Sequence, residues 1–298
     1  MAVAAGGVES LSVSSGWRQL LDALRRGPVV SVSMIGIIVL AALFAPLVAP
    51  YHPNDQSLDD RLSPPMWQEG GTFGHILGTD KLGRDILSRL IYGARVSLII
   101  AGAVLAISGI SGLVIGIVAG YFGGRVDAVL MRIVDAFIAM PGILIALLFA
   151  ATLGGGMITL TIAIALFRWS TFARVVRGEV LSLREEDFVA LAVVHGCSPL
   201  RIMVVHILPG VMSTWAVLAT LNAGGIIITE ASLSFLGAGI PPPTASWGQM
   251  VSEGRTFIAT AWWIAIMPGA AITVVVLAFN LFGDWLRDFL DPKLRALQ

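Results

Sequence analysis

Charge is scarce in this sequence. Only 13% of its 298 residues are Asp, Glu, Lys or Arg, about half the roughly 25% of an ordinary soluble domain. The formal net charge is zero, so neither a basic face for nucleic acid nor an acidic solvating tail is expected. One cysteine, Cys197, excludes an internal disulfide and a cysteine-rich metal site. The four histidines are scattered and show no His-x-x-x-His spacing. A G-x-x-x-x-G-K-[ST] phosphate loop is missing, so ATP hydrolysis by this chain is not expected. Paired acids, Ser/His couples and His clusters do not converge within the apolar segments, which argues against an intramembrane enzyme. No internal repeat of the kind found in secondary transporters is visible.

Apolar residues are what the chain has in excess. They make up 56% of it, and the mean hydropathy is +0.87. Six apolar segments stand out, at about 29–49, 96–120, 128–153, 157–176, 209–236 and 261–282. Each approaches the roughly 20 residues that cross a bilayer core. The fold class expected is an all-α membrane protein with about six transmembrane helices. Segment one is too long for a signal-peptide core, and Pro50 follows it directly, so an uncleaved first helix is expected. With both termini in the cytoplasm, the cytoplasmic connections hold twelve Lys and Arg against six outside, the asymmetry that sets orientation. The divisions are then a cytoplasmic segment 1–28, a transmembrane domain 29–286 with an external loop 50–95 and a cytoplasmic loop 177–208, and a cytoplasmic tail 287–298.

Several residues inside the segments carry chemistry of their own. Gly112, Gly116 and Gly120 are four apart and let a second helix approach closely, within this chain or from a partner. Pro141 and Pro268 lie inside segments three and six, where each removes a backbone donor and can kink its helix. Glu230 is expected either on a pathway or at a hydrated interface, since an unpaired carboxylate at depth is costly. Arg168 is open to pathway, pairing and snorkelling readings. Asp135 and Asp284 are expected to be solvated or paired near helix ends.

The stretch from Arg184 to Pro209 is the most informative. Glu185, Glu186 and Asp187 stand where acids favour a helix start. Phe188 to Val194 is a short apolar helix, Gly196 a natural stop, and Ser198 with Pro199 a cap and first position for a second helix. A helix-turn-helix this apolar in a connecting loop predicts a partner surface.

With those residues in view, the stretch resembles the EAA loop of binding-protein-dependent ABC importer permeases. Gly196 and Leu208-Pro209 keep that pattern's spacing. Ala190-Leu191-Ala192 stands in the E-A-A position, without its glutamate, and His206 replaces an isoleucine. Leu77-Gly78-Thr79-Asp80-Lys81-Leu82-Gly83-Arg84-Asp85, Leu233-Ser234-Phe235-Leu236-Gly237 and Asn280-Leu281-Phe282-Gly283-Asp284-Trp285 resemble blocks of the C-type permease of the dipeptide, oligopeptide and nickel subgroup. Pro64-Pro65-Met66-Trp67 is close to its dipeptide branch. By physics alone, the Gly83-Arg84-Asp85 block reads as a surface turn with solvated charges.

The resemblance implies a type I ABC importer permease fold in a bacterial inner membrane. It implies a second homologous permease, two ATPase subunits that carry the ATP and Mg, and an external substrate-binding protein. No cofactor or metal is implied for this chain, and nucleic acid is not a partner. The ATPase-coupling residues would be Glu186, Asp187, Phe188, Val189, Ala190, Leu191, Ala192, Gly196, Leu208 and Pro209, with Phe188, Val189 and Leu191 docking in an ATPase groove. Pathway candidates are Glu230, Arg168, Pro141 and Pro268. Peptides are the substrates implied first. Nickel, haem and other small solutes stay open, as does a self-contained channel or secondary transporter.

Overall fold

The computed structural model describes residues 29–290; the segment 1–28 and the last eight residues of the expected tail lie outside the described residues. Among the described residues the architecture is helical, with a single isolated antiparallel bridge between Thr79 and Asp85. Helix α1 is Val29–Leu43, continued by the short α2, Ala45–Val48. Helix α3 is Ile86–Phe122, α4 is Gly124–Ala139, α5 is Gly142–Leu153 and α6 is Met157–Arg184. Helix α7 is Asp187–Val194. Helix α8, Pro199–Phe235, includes a π-turn at Ile202–Ile207. Helix α9 is Trp247–Gly254 and α10 is Trp263–Leu290.

Four of these, α3, α6, α8 and α10, are long and apolar enough to cross a membrane, and α4 with α5 forms a fifth, broken span. Helix α1 has 15 residues, about 22 Å at 1.5 Å per residue, so it is an apolar helix shorter than a bilayer core of roughly 30 Å, and the described residues hold four spans, or five with the broken one, against the six expected. The break in the fifth span corrects the expectation for Pro141. This residue does not kink a continuous helix. It ends one and starts another: α4 stops at Ala139, Pro141 sits at the N-cap of α5, and the axes turn by 80°. Proline's missing donor and the extended backbone it imposes on Met140, with ψ at 136°, account for the break. Pro268 does lie within a helix, buried in α10.

Two boundaries also move. Helix α3 starts at Ile86, ten residues before expected, because Asp85 caps it by accepting a hydrogen bond from the Ser88 amide at 2.7 Å. Helix α8 starts at Pro199 and runs without interruption into the span, so the second helix of the predicted helix-turn-helix is the first part of α8. Likewise residues 177–184 continue α6 and are not loop.

The tightest contact in the bundle is between α3 and α6, and it explains the glycine series. A Cβ at Gly112 would lie 2.4 Å from Phe172 Cβ and 2.6 Å from the Trp169 carbonyl oxygen; one at Gly116 would lie 2.7 Å from Val176 Cβ, and one at Gly120 2.7 Å from Val180 Cβ. These residues therefore serve packing inside the chain. The pairing in increasing order on both helices makes α3 and α6 parallel, joined by the broken span. Gly112→Val is expected to force the two helices apart at a cost of about 3 kcal/mol. Thermal unfolding of the purified protein in detergent measures it, and an unchanged midpoint would contradict this packing.

Candidate functional site

The two ends of the bundle are built differently. Helices α3, α6 and α10 all run toward the end that carries α7. The opposite end carries the loop before α3, together with α9.

At the first end, α7 is joined to α8 by a turn at Gly196, whose φ is +73°. An added Cβ there meets nothing within 4 Å, so the demand for glycine comes from the left-handed backbone and not from crowding. Ser198 caps α8 by accepting from the Arg201 amide, and Pro199 takes the first helical position. The predicted residues separate into two faces. Val189 (2% exposed) and Ala192 pack with Val176, Val180, Ile202, Ile207 and Val211 of the same chain. Phe188 (43%) and Leu191 (57%) point away from that cluster, as do Val194, Leu200, Val204 and Val205. The expectation that Val189 docks outward is therefore corrected: it holds α7 onto α6 and α8. Glu186 occupies the N-cap position without a side-chain capping bond, and Asp187 lies in the first turn. Ala190 is exposed. Leu208 and Pro209 lie within α8, just after the π-turn.

Beside α7, α6 is fixed to α4 by ion pairs. Arg177 makes a bidentate pair with Asp127, both N–O distances being 2.6 Å, and Arg174 pairs with Asp135. A groove of about 580 Å³ opens between α6, α8 and the end of α10, with Glu179, Leu218, Leu221 and Arg287 among its lining residues.

At the other end, the Gly83-Arg84-Asp85 block is not a solvated turn. Asp80, Arg84, Asp85 and Arg89 are buried. Asp80 accepts from the amides of Leu82 and Arg84, at 2.8 and 3.0 Å, and pairs with Arg84 Nε at 2.6 Å. Glu253, reaching in from α9, accepts from Arg84 Nη2 at 2.9 Å and from Arg89 Nη2 at 3.4 Å. Two guanidiniums thus face two carboxylates, and the four charges balance. Trp263 at the start of α10 donates to the Thr79 carbonyl at 3.0 Å, and Trp247 of α9 to the Leu90 carbonyl at 2.9 Å. Glu253 was not picked out from the sequence; it lies more than 160 residues from Arg84 and Arg89 in the chain.

Within the spans, Glu230 is buried between α3 and α8 of this chain. Its carboxylate accepts from Ser97 Oγ at 3.0 Å and Ser234 Oγ at 2.9 Å. Arg168, on α6, reaches α8. It donates to Gly225 O at 3.1 Å, Thr229 Oγ1 at 2.9 Å and Asn222 Oδ1 at 3.4 Å.

A helical bundle of apolar spans, with a short, almost wholly apolar side helix packed on one end through its own buried valine and alanine, is the architecture of a multi-pass membrane protein. Residues 112–296 match the binding-protein-dependent transport system inner membrane component family, and residues 15–65 match the N-terminal TM domain of oligopeptide transport permease C. The chain belongs to this family of inner-membrane transport components. It is 45% identical over 259 residues to the di/tripeptide transport system permease protein DppC of Pseudomonas aeruginosa, covering 87% of this chain and 86% of that protein. It is 43% identical over 270 residues to the dipeptide transport system permease protein DppC of Escherichia coli, covering 91% and 90%. It is 38% identical over 270 residues to the corresponding protein of Haemophilus influenzae, covering 91% and 92%.

Proposed function

We propose that this chain is one permease subunit of an ATP-driven peptide importer, forming half of the translocation pathway for di- or oligopeptides. The single observation that supports this reading most is the exposed apolar face of α7, Phe188 and Leu191, on a helix whose other face is locked to the spans. Such a helix transmits force: pushing on the outer face moves α6 and α8 with it. The relatives' names supply the peptide class.

In this reading, α7 lies on the cytoplasmic side with both termini, and each of two separate ATPase subunits receives one such helix. A second, homologous permease closes the pathway, and an external binding protein delivers the peptide at the opposite end, where α9 and the loop before α3 meet. ATP and Mg bind the ATPases; no role in hydrolysis falls to this chain. Closure of the ATPases pulls on α7, and because Val189 and Ala192 are packed against α6 and α8, the spans tilt with it.

The test is co-purification in mild detergent followed by reconstitution. The tagged chain is expected to bring down a second permease and two ATPases, and the complex with its binding protein to take up labelled dipeptide on addition of ATP. Gly196→Asp places a side chain at a left-handed position, which costs about 1–2 kcal/mol, and a charge beside the docking face. Insertion is expected to be normal and uptake to fall at least about tenfold, the factor that 1.4 kcal/mol represents. Wild-type uptake in this variant would overturn the coupling role of the turn. A chain that purifies alone would overturn the importer reading.

A further inference from the structure

Arg168 is the eleventh residue after Met157, the first of the 28 residues of α6, and so stands about 16 Å along a helix of about 42 Å. That is well inside the span, where a charge is expensive unless it faces water or a partner. Its three hydrogen-bond acceptors, an amide, a backbone carbonyl and a hydroxyl, are all neutral. No ion pair among the described residues involves it. The fold nevertheless makes room for it: a Cβ at Gly225 would come within 3.3 Å of Arg168 Nη2, so the missing side chain in α8 is the space the guanidinium occupies. The residue is half-buried, so part of it is accessible in this chain.

The groove lies along the same two helices, toward the α7 end. On α6, Arg168, Val175 and Glu179 are spaced i, i+7 and i+11 and share one helix face; on α8, Leu218, Asn222, Gly225 and Thr229 are spaced i, i+4, i+7 and i+11 and share another. Val175, Glu179 and Leu218 line the groove that opens at the α7 end. The arginine therefore stands about two helical turns from the nearest groove residue on its own helix, Val175, held by neutral groups that orient it without neutralising it.

We propose that Arg168 is a carboxylate-binding residue of the translocation pathway, which receives the C-terminal carboxylate of a peptide on its way between the two faces. This rests on the peptide reading above. A planar guanidinium is suited to the task, since it offers a carboxylate two parallel charge-assisted hydrogen bonds. Neutral tethers keep the attraction moderate in duration: the peptide exchanges for water and is released toward the groove, with no competing resident acid to displace.

The experiment uses the complete transporter, with its partner permease and ATPases. Two dipeptide probes carry the same photoreactive diazirine side chain, one with a free C-terminal carboxylate and one as the C-terminal amide. They are added without the binding protein, so that its own preference does not enter. In the wild type, the acid is expected to label α6 and α8 around Arg168 and Asn222 about tenfold more than the amide, as loss of a charge-assisted pair would give. Arg168→Gln should abolish that preference, and Arg168→Lys should retain part of it. Equal labelling by both probes in the wild type would overturn the proposal, as would an unchanged preference in Arg168→Gln. So would an Arg168→Gln complex that has lost the second permease, because the arginine would then serve a subunit acid. ATP-driven uptake by the wild type is scored separately with the unmodified dipeptide: its absence counts against the peptide reading, while the probe labelling still reports whether the arginine binds a carboxylate.

Discussion

Leu191→Asp, and to a similar degree Phe188→Asp, is expected to abolish capture of the ATPases while leaving the chain inserted and folded. Leu191 is 57% exposed and Phe188 is 43% exposed, so neither substitution buries a charge within this chain. In a complex, each would bury an unpaired carboxylate in an apolar contact, at a cost of several kcal/mol. A cost of about 3 kcal/mol lowers affinity by more than a hundredfold. Val189→Ala makes the contrast. It removes two methyl groups from the cluster with Val176, Val180 and Ile207, so it should loosen the attachment of α7 to the spans by about 1.5–3 kcal/mol while leaving the outer face unchanged. The outcome expected is retained ATPase binding with weakened coupling: more ATP hydrolysed per peptide carried. Quantitative pull-down and the ratio of hydrolysis to uptake measure the two effects. Wild-type recovery of the ATPases with Leu191→Asp would sink the assignment of the outer face.

The division of α7 into two faces was only half legible in the sequence. The residues that start, stop and cap the helix are local signals: the acids at 185–187, Gly196, and Ser198 before Pro199. Which apolar side chain faces inward is not local, since seven of the eight residues from Asp187 to Val194 are apolar and periodicity has nothing to alternate with. The same limit explains Pro141. A proline in an apolar run signals a kink or a break, and the 80° turn depends on where α4 and α5 find partners. Gly112, Gly116 and Gly120 were readable as a close helix contact, and α6 as the helix they meet was not, because small-residue spacing names no partner. The spans themselves were plain from hydropathy; their ends were set by Asp85 and Pro199, which extended α3 and α8 beyond the apolar run.

The ionic cluster at the other end is illegible in the sequence for a different reason, and it carries the second large effect. A run such as Asp80-Lys81-Leu82-Gly83-Arg84-Asp85 is solvated in most proteins, because burying such charges costs more than it returns unless all are paired. Here the partner is Glu253, on a helix far along the chain, and no local pattern announces it. Glu253→Ala is expected to leave Arg84 and Arg89 with Asp80 alone, two buried cations against one anion, and to destabilise the end of the bundle by about 3–5 kcal/mol. The loop at 50–85, which is tied to α3 and α10 through Asp85, Thr79 and Trp263, should then open to protease. Removing Arg84 at the same time restores the balance: Arg84→Met with Glu253→Ala leaves Asp80 beside Arg89 Nη1, 3.6 Å away, and should be milder than the sum of the two single changes, the signature of direct coupling. Limited proteolysis and thermal unfolding in detergent read both. Because α7 lies at the opposite end, ATPase capture by Glu253→Ala is expected to survive at temperatures below its unfolding, whereas delivery by a binding protein, which on the proposed reading meets this end, should fail. A Glu253→Ala protein that unfolds with the wild-type midpoint and keeps its loop protected would show that the cluster holds nothing together, and additive single and double variants would show that Arg84 and Glu253 act apart.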